Sequence, residues 1–268
     1  MPLQLLEPKR LYRQIAEQLR ALMEAGEFAI GQRLPAERDL ATQLGVSRPS
    51  VREALIALEV EGWVEVRGGS GVYVLRNTAP TVDSKARYDE WGPLELITAR
   101  GLIEGEAAAM AATHASKEQI TKIADGLAHM KLALKEGRDP LAGDELFHRA
   151  IAQACGNEVL RDTVSRYWQA RRSPLYLRLA DYFERPASWR AVLTEHSAVL
   201  KAIKNHKPSA AREAMQGHMS KALARFSAGW HLANPPAPIS ASVKVLPVTP
   251  RASPKPTRRH HAKPTTHV

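Results

Sequence analysis

Residues 34–74 read LPAERDLATQLGVSRPSVREALIALEVEGWVEVRGGSGVYV, and their punctuation decides the fold of the N-terminal part of the chain. Leu34-Pro35 demands an extended residue before a helix that can tolerate proline in its first turn. Leu40 and Leu44 repeat at i, i+4, and Gly45 stands where a helix ends in a left-handed residue. Ser47 is an N-cap candidate for a second helix whose apolar face is Val51, Leu55 and Leu58, and Gly62 ends it. Val64 and Val66 alternate with Glu65 and Arg67, and Val72 and Val74 flank Tyr73. This predicts two short strands around Gly68-Gly69-Ser70-Gly71. Upstream, Leu11, Ile15, Leu19 and Leu22 predict a third helix over the core. Helix, turn, helix and hairpin make a winged helix-turn-helix, which lays one helix in a DNA major groove.

On the second helix of the pair, Arg48 and Arg52 are i, i+4 and share a face from which guanidinium groups reach base edges or phosphates. Ser47 and Ser50 can donate from the helix N-terminus, where backbone amides also favour phosphate. Each arginine taken alone reads first as an ordinary solvated position; the assembled pattern points to DNA.

The same stretch resembles the GntR family of bacterial transcriptional regulators nearly throughout. In that family the arginine of the PAER motif, the Ser/Thr-Arg pair opening the recognition helix, the arginine four residues on and a wing-tip glycine contact DNA. The resemblance places those roles on Arg38, Ser47, Arg48, Arg52 and Gly69.

The 268 residues carry a formal charge of +10, but its distribution weakens any argument from bulk charge. Residues 1–75 hold nine Lys/Arg against ten Asp/Glu, while residues 235–268 hold six Lys/Arg and no acid. A lone cysteine, Cys155, excludes an intrachain disulfide, fits a reducing cytoplasm and reads as a core residue. No 18-residue apolar run predicts a membrane span, and the N-terminus lacks a signal peptide's apolar core.

Residues 1–75 form the expected reading head and 76–92 a polar linker. Residues 93–232 read as an all-α bundle, with helices near 94–113, 117–136, 141–155, 158–181, 187–205 and 208–228. Residues 233–268 read as a disordered, proline-rich basic tail, either inert or a weak phosphate-binding arm on Arg258-Arg259. The fold class is mainly α: a winged helix-turn-helix followed by a helical bundle.

Within the bundle, Asp144 and His148 are spaced i, i+4 in DELFHRAIA and project from one helix face. His196 and His218 sit among apolar residues on later helices, so an inward orientation is expected, and an inward polar group must be paired or ligated. One carboxylate and three imidazoles suit a divalent ion such as zinc, nickel, manganese or iron. Four separately hydrogen-bonded core residues would give the same spacing. Glu145 and Glu195 adjoin these residues in sequence but point about 100° away on their helices, which disfavours a general base and a metal-dependent hydrolase.

The helical region resembles the FCD ligand-binding domain of the FadR subfamily of GntR regulators. In its metal-binding members an Asp-x3-His helix and two later histidines hold a metal whose open positions accept a carboxylate effector. Asp144, His148, His196 and His218 match all four, with zinc the foremost candidate. The family often has a pocket-facing arginine where Arg100 stands; the alternative is a surface pair of Arg100 with Glu104. Trp168, Arg171 and Tyr176 can line a sugar-acid pocket, with an aromatic ring stacking on the sugar, or can belong to an amphipathic helix with a basic outer face. EALIALEVEGWVEVRGGSGVYV, GPLELITARGLIE and YWQARRSPLY resemble the hexuronate-responsive members.

The expectation is therefore a cytoplasmic homodimeric regulator, a repressor, with double-stranded operator DNA and a small carboxylate effector as partners. A hexuronate or aldonate is the first effector class and a short hydroxy or dicarboxylic acid the second. An architectural DNA binder driven by the basic tail is the remaining rival.

Overall fold

The structure of the protein, a computed structural model, describes residues 10–78, 91–183 and 186–227, with the side chains of 186 and 187 excepted. Most of the expected linker, the expected boundary at 232 and the whole basic tail lie outside the described residues.

The head consists of α1 (Leu11–Glu24), α2 (Glu37–Leu44), α3 (Arg48–Val60), β1 (Val64–Arg67) and β2 (Gly71–Val74). The expected devices are present: Gly45 ends α2 at φ +65°, and the Ser47 hydroxyl accepts from Ser50 N at 3.2 Å to start α3. β1 and β2 pair antiparallel, from Val64 opposite Val74 to Arg67 opposite Gly71. Residues 32–34 add a short third edge, with Val74 N donating to Gln32 O at 2.9 Å and Leu34 N to Val72 O at 2.8 Å. The core gathers Ile15, Leu19, Leu40, Val51, Leu55, Leu58 and Trp63 with the inward valines of the hairpin. The buried face of α1 differs in phase from the expected one. Tyr12, Ile15, Ala16, Leu19 and Met23 form the buried stripe, and Leu11 falls off it into solvent.

The second region is all helical: α4 (Pro93–His114), α5 (Lys117–Lys135), α6 (Leu141–Ala154), α7 (Glu158–Ala170), α8 (Pro174–Phe183), α9 (Pro186–Lys204) and α10 (Pro208–Ser227). The single helix expected over 158–181 is two helices. Pro174 lacks an amide to continue the ladder, and the Ser173 hydroxyl accepts from Tyr176 N at 3.2 Å, so the chain turns at 171–173 and restarts. Cys155 is buried, as expected of a core residue.

One packing detail positions the site. α5 and α6 cross with their backbones in contact: a Cβ on Gly126 would lie 2.6 Å from Phe147 N, and one on Gly143 2.6 Å from Met130 N. Gly143 thus faces α5. Asp144, about 100° further round α6, faces the bundle interior together with His148 one turn on.

Candidate functional site

Asp144, His148, His196 and His218 meet in the interior of the helical domain, all buried. One ring nitrogen from each histidine lies within 4.8 Å of the others. His196 Nε2 is 3.0 Å from His148 Nε2, and Asp144 Oδ1 is 3.1 Å from the first and 3.4 Å from the second. Ligand bonds of about 2.0–2.1 Å give polyhedron edges of roughly 2.9–3.4 Å, so these separations fit groups sharing one ion, and they equally fit hydrogen bonds among the same groups.

The outward ring nitrogens explain the orientation. His148 Nδ1 meets Glu104 Oε2, His196 Nδ1 donates to Val192 O at 2.8 Å, and His218 Nδ1 donates to Glu195 Oε2 at 2.7 Å. Carbonyl and carboxylate oxygens only accept, so each neutral ring carries its proton on Nδ1 and turns the Nε2 lone pair inward. When all three rings are neutral, three lone pairs and a carboxylate oxygen face one another, and Asp144 Oδ1 receives no aligned hydrogen bond. A cation, or a proton on one of the Nε2 atoms, relieves that arrangement. Burial lowers the His218 imidazole to about 3, helped by neighbouring His196, so it is a neutral lone-pair donor at ordinary pH. Burial opposes charge on Asp144 and on His148, but each is overruled. His148, His196 and Arg171 hold the Asp144 carboxyl well below its ordinary value, and Glu104 and Asp144 push His148 up. The donor set fits a divalent transition ion held by Asp144, His148, His196 and His218.

Arg100 and Glu104 do form an i, i+4 pair, Nε to Oε1 2.6 Å, but it is buried rather than on the surface. Its work is to keep Glu104 ionised beneath His148: despite burial the Glu104 carboxyl sits at about 2, held there by Arg100 and His148. Glu195 has the same office for His218, and Arg225 backs it at 3.1 Å. Neither Glu104 nor Glu195 was singled out from sequence as an anchor of the histidines, since each declares itself only through helices packed across the bundle. Glu145 is turned away and pairs with Arg172 at 2.8 Å.

A cavity of about 30 Å³ opens beside the histidines, walled by Arg100, Asp144, Arg171, Tyr176, Trp189, His218, Arg225 and Phe226 among others. That volume suits about one water molecule. Arg171 lines it, with Nη1 donating to Asp144 Oδ2 at 2.8 Å, and Tyr176 is a wall. Trp168 is a correction. It does not line the cavity but is buried with the guanidinium groups of Arg100 and Arg171 at 4.7 and 4.4 Å from its ring. A ring that is 1% exposed and packed by two guanidinium groups is not open to a sugar.

The head presents its own groove, about 380 Å³, between the wing and the α2–α3 pair. Arg38 and Arg48 line it, 81% and 48% exposed at their side chains, with Gly69 at the wing. Ser47 and Ser50 stand at the α3 N-terminus with their hydroxyls 2.8 Å apart. Arg52 is the second correction, for it is 2% exposed. Its Nε and Nη2 donate to the two Glu37 carboxylate oxygens at 2.9 and 2.7 Å, and its Nη1 to Phe226 O at 3.4 Å. Arg52 follows Arg48 by one turn, but its own side chain is buried against Glu37, the Phe226 carbonyl and the Phe183 ring, 5.7 Å from its Cζ. Arg33 and Arg67 line the groove as well, and nothing in the helical periodicity marked them.

The two regions share one apolar core, in which Tyr176, Leu179, Tyr182, Phe183 and Phe226 pack with the head residues. Phe226 therefore touches both the cavity and the recognition helix, and α10 carries it together with His218 and Arg225.

The sequence matches the bacterial regulatory proteins of the gntR family over residues 11–74 and the FCD domain over residues 95–221. It is 37% identical over 225 residues to the Exu regulon transcriptional regulator of Escherichia coli (strain K12), spanning 81% of this chain and 84% of that protein. It is 35% identical over 211 residues to the Uxu operon regulator of Haemophilus influenzae, spanning 78% and 79%. It is 32% identical over 225 residues to the putative L-lactate dehydrogenase operon regulatory protein of Escherichia coli (strain K12), spanning 80% and 85%. Among the described residues no helix is long and apolar enough to cross a membrane.

Proposed function

The chain belongs to the gntR family of bacterial regulatory proteins and is a DNA-binding transcriptional regulator with an FCD domain, not an enzyme; from that premise we propose that a small carboxylate, bound beside a metal held by Asp144, His148, His196 and His218, sets its affinity for operator DNA. The observation that carries the reading is the convergence of three Nε2 lone pairs on an unsatisfied Asp144 oxygen, next to a cavity walled by Arg171 and Arg225. The ion, zinc foremost, supplies a Lewis-acid position for a carboxylate oxygen. Arg171 supplies a guanidinium for the same anion, and Arg100 acts through Glu104 rather than on the ligand.

A cavity of about 30 Å³ is smaller than a sugar acid, so ligand entry displaces its walls. Phe226 is one such wall, and its carbonyl accepts from Arg52. Ligand binding and the placement of the recognition helix thus share one element, the last turns of α10. In the docked form Arg52 is withheld from DNA, which makes the chain a repressor released when its ligand favours that form. Two copies reading a two-fold operator give a homodimer. A reader of the chromosome works in the cytoplasm, where the lone buried Cys155 stays reduced.

The effector class is a hexuronate or an aldonate. This rests on the sequence resemblance stated above and on relatives titled for the Exu regulon and Uxu operon. A short hydroxy acid is the second reading, favoured by the relative titled for an L-lactate dehydrogenase operon.

Thermal unfolding of the zinc-loaded protein with galacturonate, glucuronate, gluconate and lactate tests both. A ligand at about 100 times its Kd that binds only the folded state adds roughly 2.7 kcal/mol. A shift with the sugar acids, abolished by chelator and matched by an operator affinity weakened about 5–150-fold, supports the proposal. A shift with lactate alone selects the second reading, and a chelator-insensitive shift removes the metal from the mechanism.

A further inference from the structure

We infer that Arg33 is a DNA-backbone contact, held in place by the wing and forming with Arg67 a phosphate clamp separate from the recognition helix. The residue lies outside both helices of the reader, in the segment that leads from α1 to α2. Its backbone is fixed on both sides. Val74 N donates to Gln32 O at 2.9 Å, Leu34 N to Val72 O at 2.8 Å, and Arg33 itself bridges to Tyr73. The segment behaves as a third strand of the wing, so an arginine placed there moves with the hairpin rather than with a loop.

The side chain crosses the hairpin at one glycine. A Cβ on Gly71 would lie 2.5 Å from Arg33 Nε and 3.2 Å from its Cζ. Gly71 has φ +125°, a conformation open to glycine, so this position admits both the turn and the guanidinium above it. Arg67 is the register partner of Gly71 on β1, which brings a second guanidinium to the same end of the hairpin. Its Cζ stacks over the Tyr73 ring at 4.3 Å, and its Nη2 pairs with Glu65 at 2.8 Å. Both arginines thus line the groove at the same end of the hairpin.

Charge balance in the groove says what the pair faces. Arg33, Arg38, Arg48 and Arg67 line it, and Glu37 is its one acidic residue among the described ones. Glu37 is engaged by Arg52 and Arg48. No acidic side chain pairs with Arg33 among the described residues. An arginine exposed on a cationic groove, rigid at its backbone and spared an internal partner, suits an anion supplied from outside. At the rim of a major-groove reader that anion is a phosphodiester, because base edges lie deeper, under α3.

The test uses the full chain and two duplexes, one enriched by the wild-type protein from a random-sequence pool and one of shuffled sequence. Arg33→Ala is expected to weaken both by a similar factor, roughly tenfold. The slope of log K against log salt should become shallower by about 0.9. Arg33→Lys and Arg33→Gln both retain a stem over Gly71, so comparing them isolates the charge if the alanine variant folds poorly. Lysine should keep the salt slope and glutamine lose it. Unchanged affinity and slope in Arg33→Ala and Arg33→Gln would overturn the inference. So would a loss confined to the enriched duplex with the slope intact, which marks a base reader.

Discussion

Arg178 of α8 and Glu59 of α3, 119 residues apart in the chain, form a two-pronged ion pair, Nε to Oε2 at 3.0 Å and Nη2 to Oε1 at 2.9 Å. The Tyr182 hydroxyl donates to Glu59 Oε2 at 2.9 Å and seals the pair, and all three residues are buried. Within the head, among the described residues, this buried carboxylate accepts only from Val66 N at 3.4 Å, too little to hold its charge. It is explained by the arginine that the helical domain brings to it.

Arg178→Met should therefore cost about 3–5 kcal/mol, because it strands a buried carboxylate. Pairing it with Glu59→Gln should cost less than the two single changes added together. Denaturant unfolding of the four proteins measures the coupling, and strict additivity would show that the pair is not an energetic unit.

The two arginines of α3 should separate by their surroundings. Arg48→Ala removes a half-exposed side chain and is expected to weaken DNA binding by about 1–3 kcal/mol while leaving the unfolding midpoint nearly unchanged. Arg52→Ala also leaves Glu37 without its bidentate partner in a buried setting, so it should lower stability as well as affinity. Anisotropy titration and thermal unfolding of both variants decide this, and equal stability losses would contradict it.

Metal content should depend on residues that do not themselves face the ion. Glu195→Gln weakens the hold on the His218 Nδ1 proton and should reduce zinc affinity about 10–100-fold, read by competition with a chromophoric chelator. His196→Ala should lower bound zinc well below one per chain with the head still folded. Stoichiometric zinc in that variant would remove His196 from the site.

Glu53 gives the pH dependence. It is buried on α3 with Oε1 3.4 Å from Leu94 N, at the start of α4. Burial pushes its carboxyl up to about 8, with Glu95 adding and the Leu94 amide and Arg10 opposing. The folded state therefore prefers the protonated form. The stability this confers is complete below the ordinary carboxyl value, near 4.5, and is lost as pH rises through about 8. Glu53→Gln should gain on the wild type across that window, by on the order of a few kcal/mol at pH 9. Melting temperatures of both proteins at several pH values measure the gap, and a gap that stays constant would refute the assignment.

The reading head was legible because its signals are local. Proline before α2, Gly45 after it, the Ser47 cap and the alternation of valines each act within a few residues, and each holds in the structure. The i, i+4 spacing of Asp144 and His148 is local too, and the apolar settings of His196 and His218 announced inward side chains. Three features were beyond that reach. The break at 171–173 looked like continuous helix because apolar periodicity carries through it, and only the missing amide of Pro174 stops it. Glu104 and Glu195 became anchors because α4 and α9 pack against helices carrying histidines 44 and 23 residues away.

By itself the sequence determined the family, the order of domains and the identity of four polar residues that meet inside the bundle, since these depend on residue type and spacing along one chain. The tertiary structure alone decided which groups are free to act. Arg52 and Trp168 have the right chemistry for DNA and for a sugar, yet Glu37 with Phe226, and Arg100 with Arg171, already occupy them. Arg33, unmarked in sequence, is left exposed. Burial is a property of everything that packs around a side chain, and no local pattern encodes it.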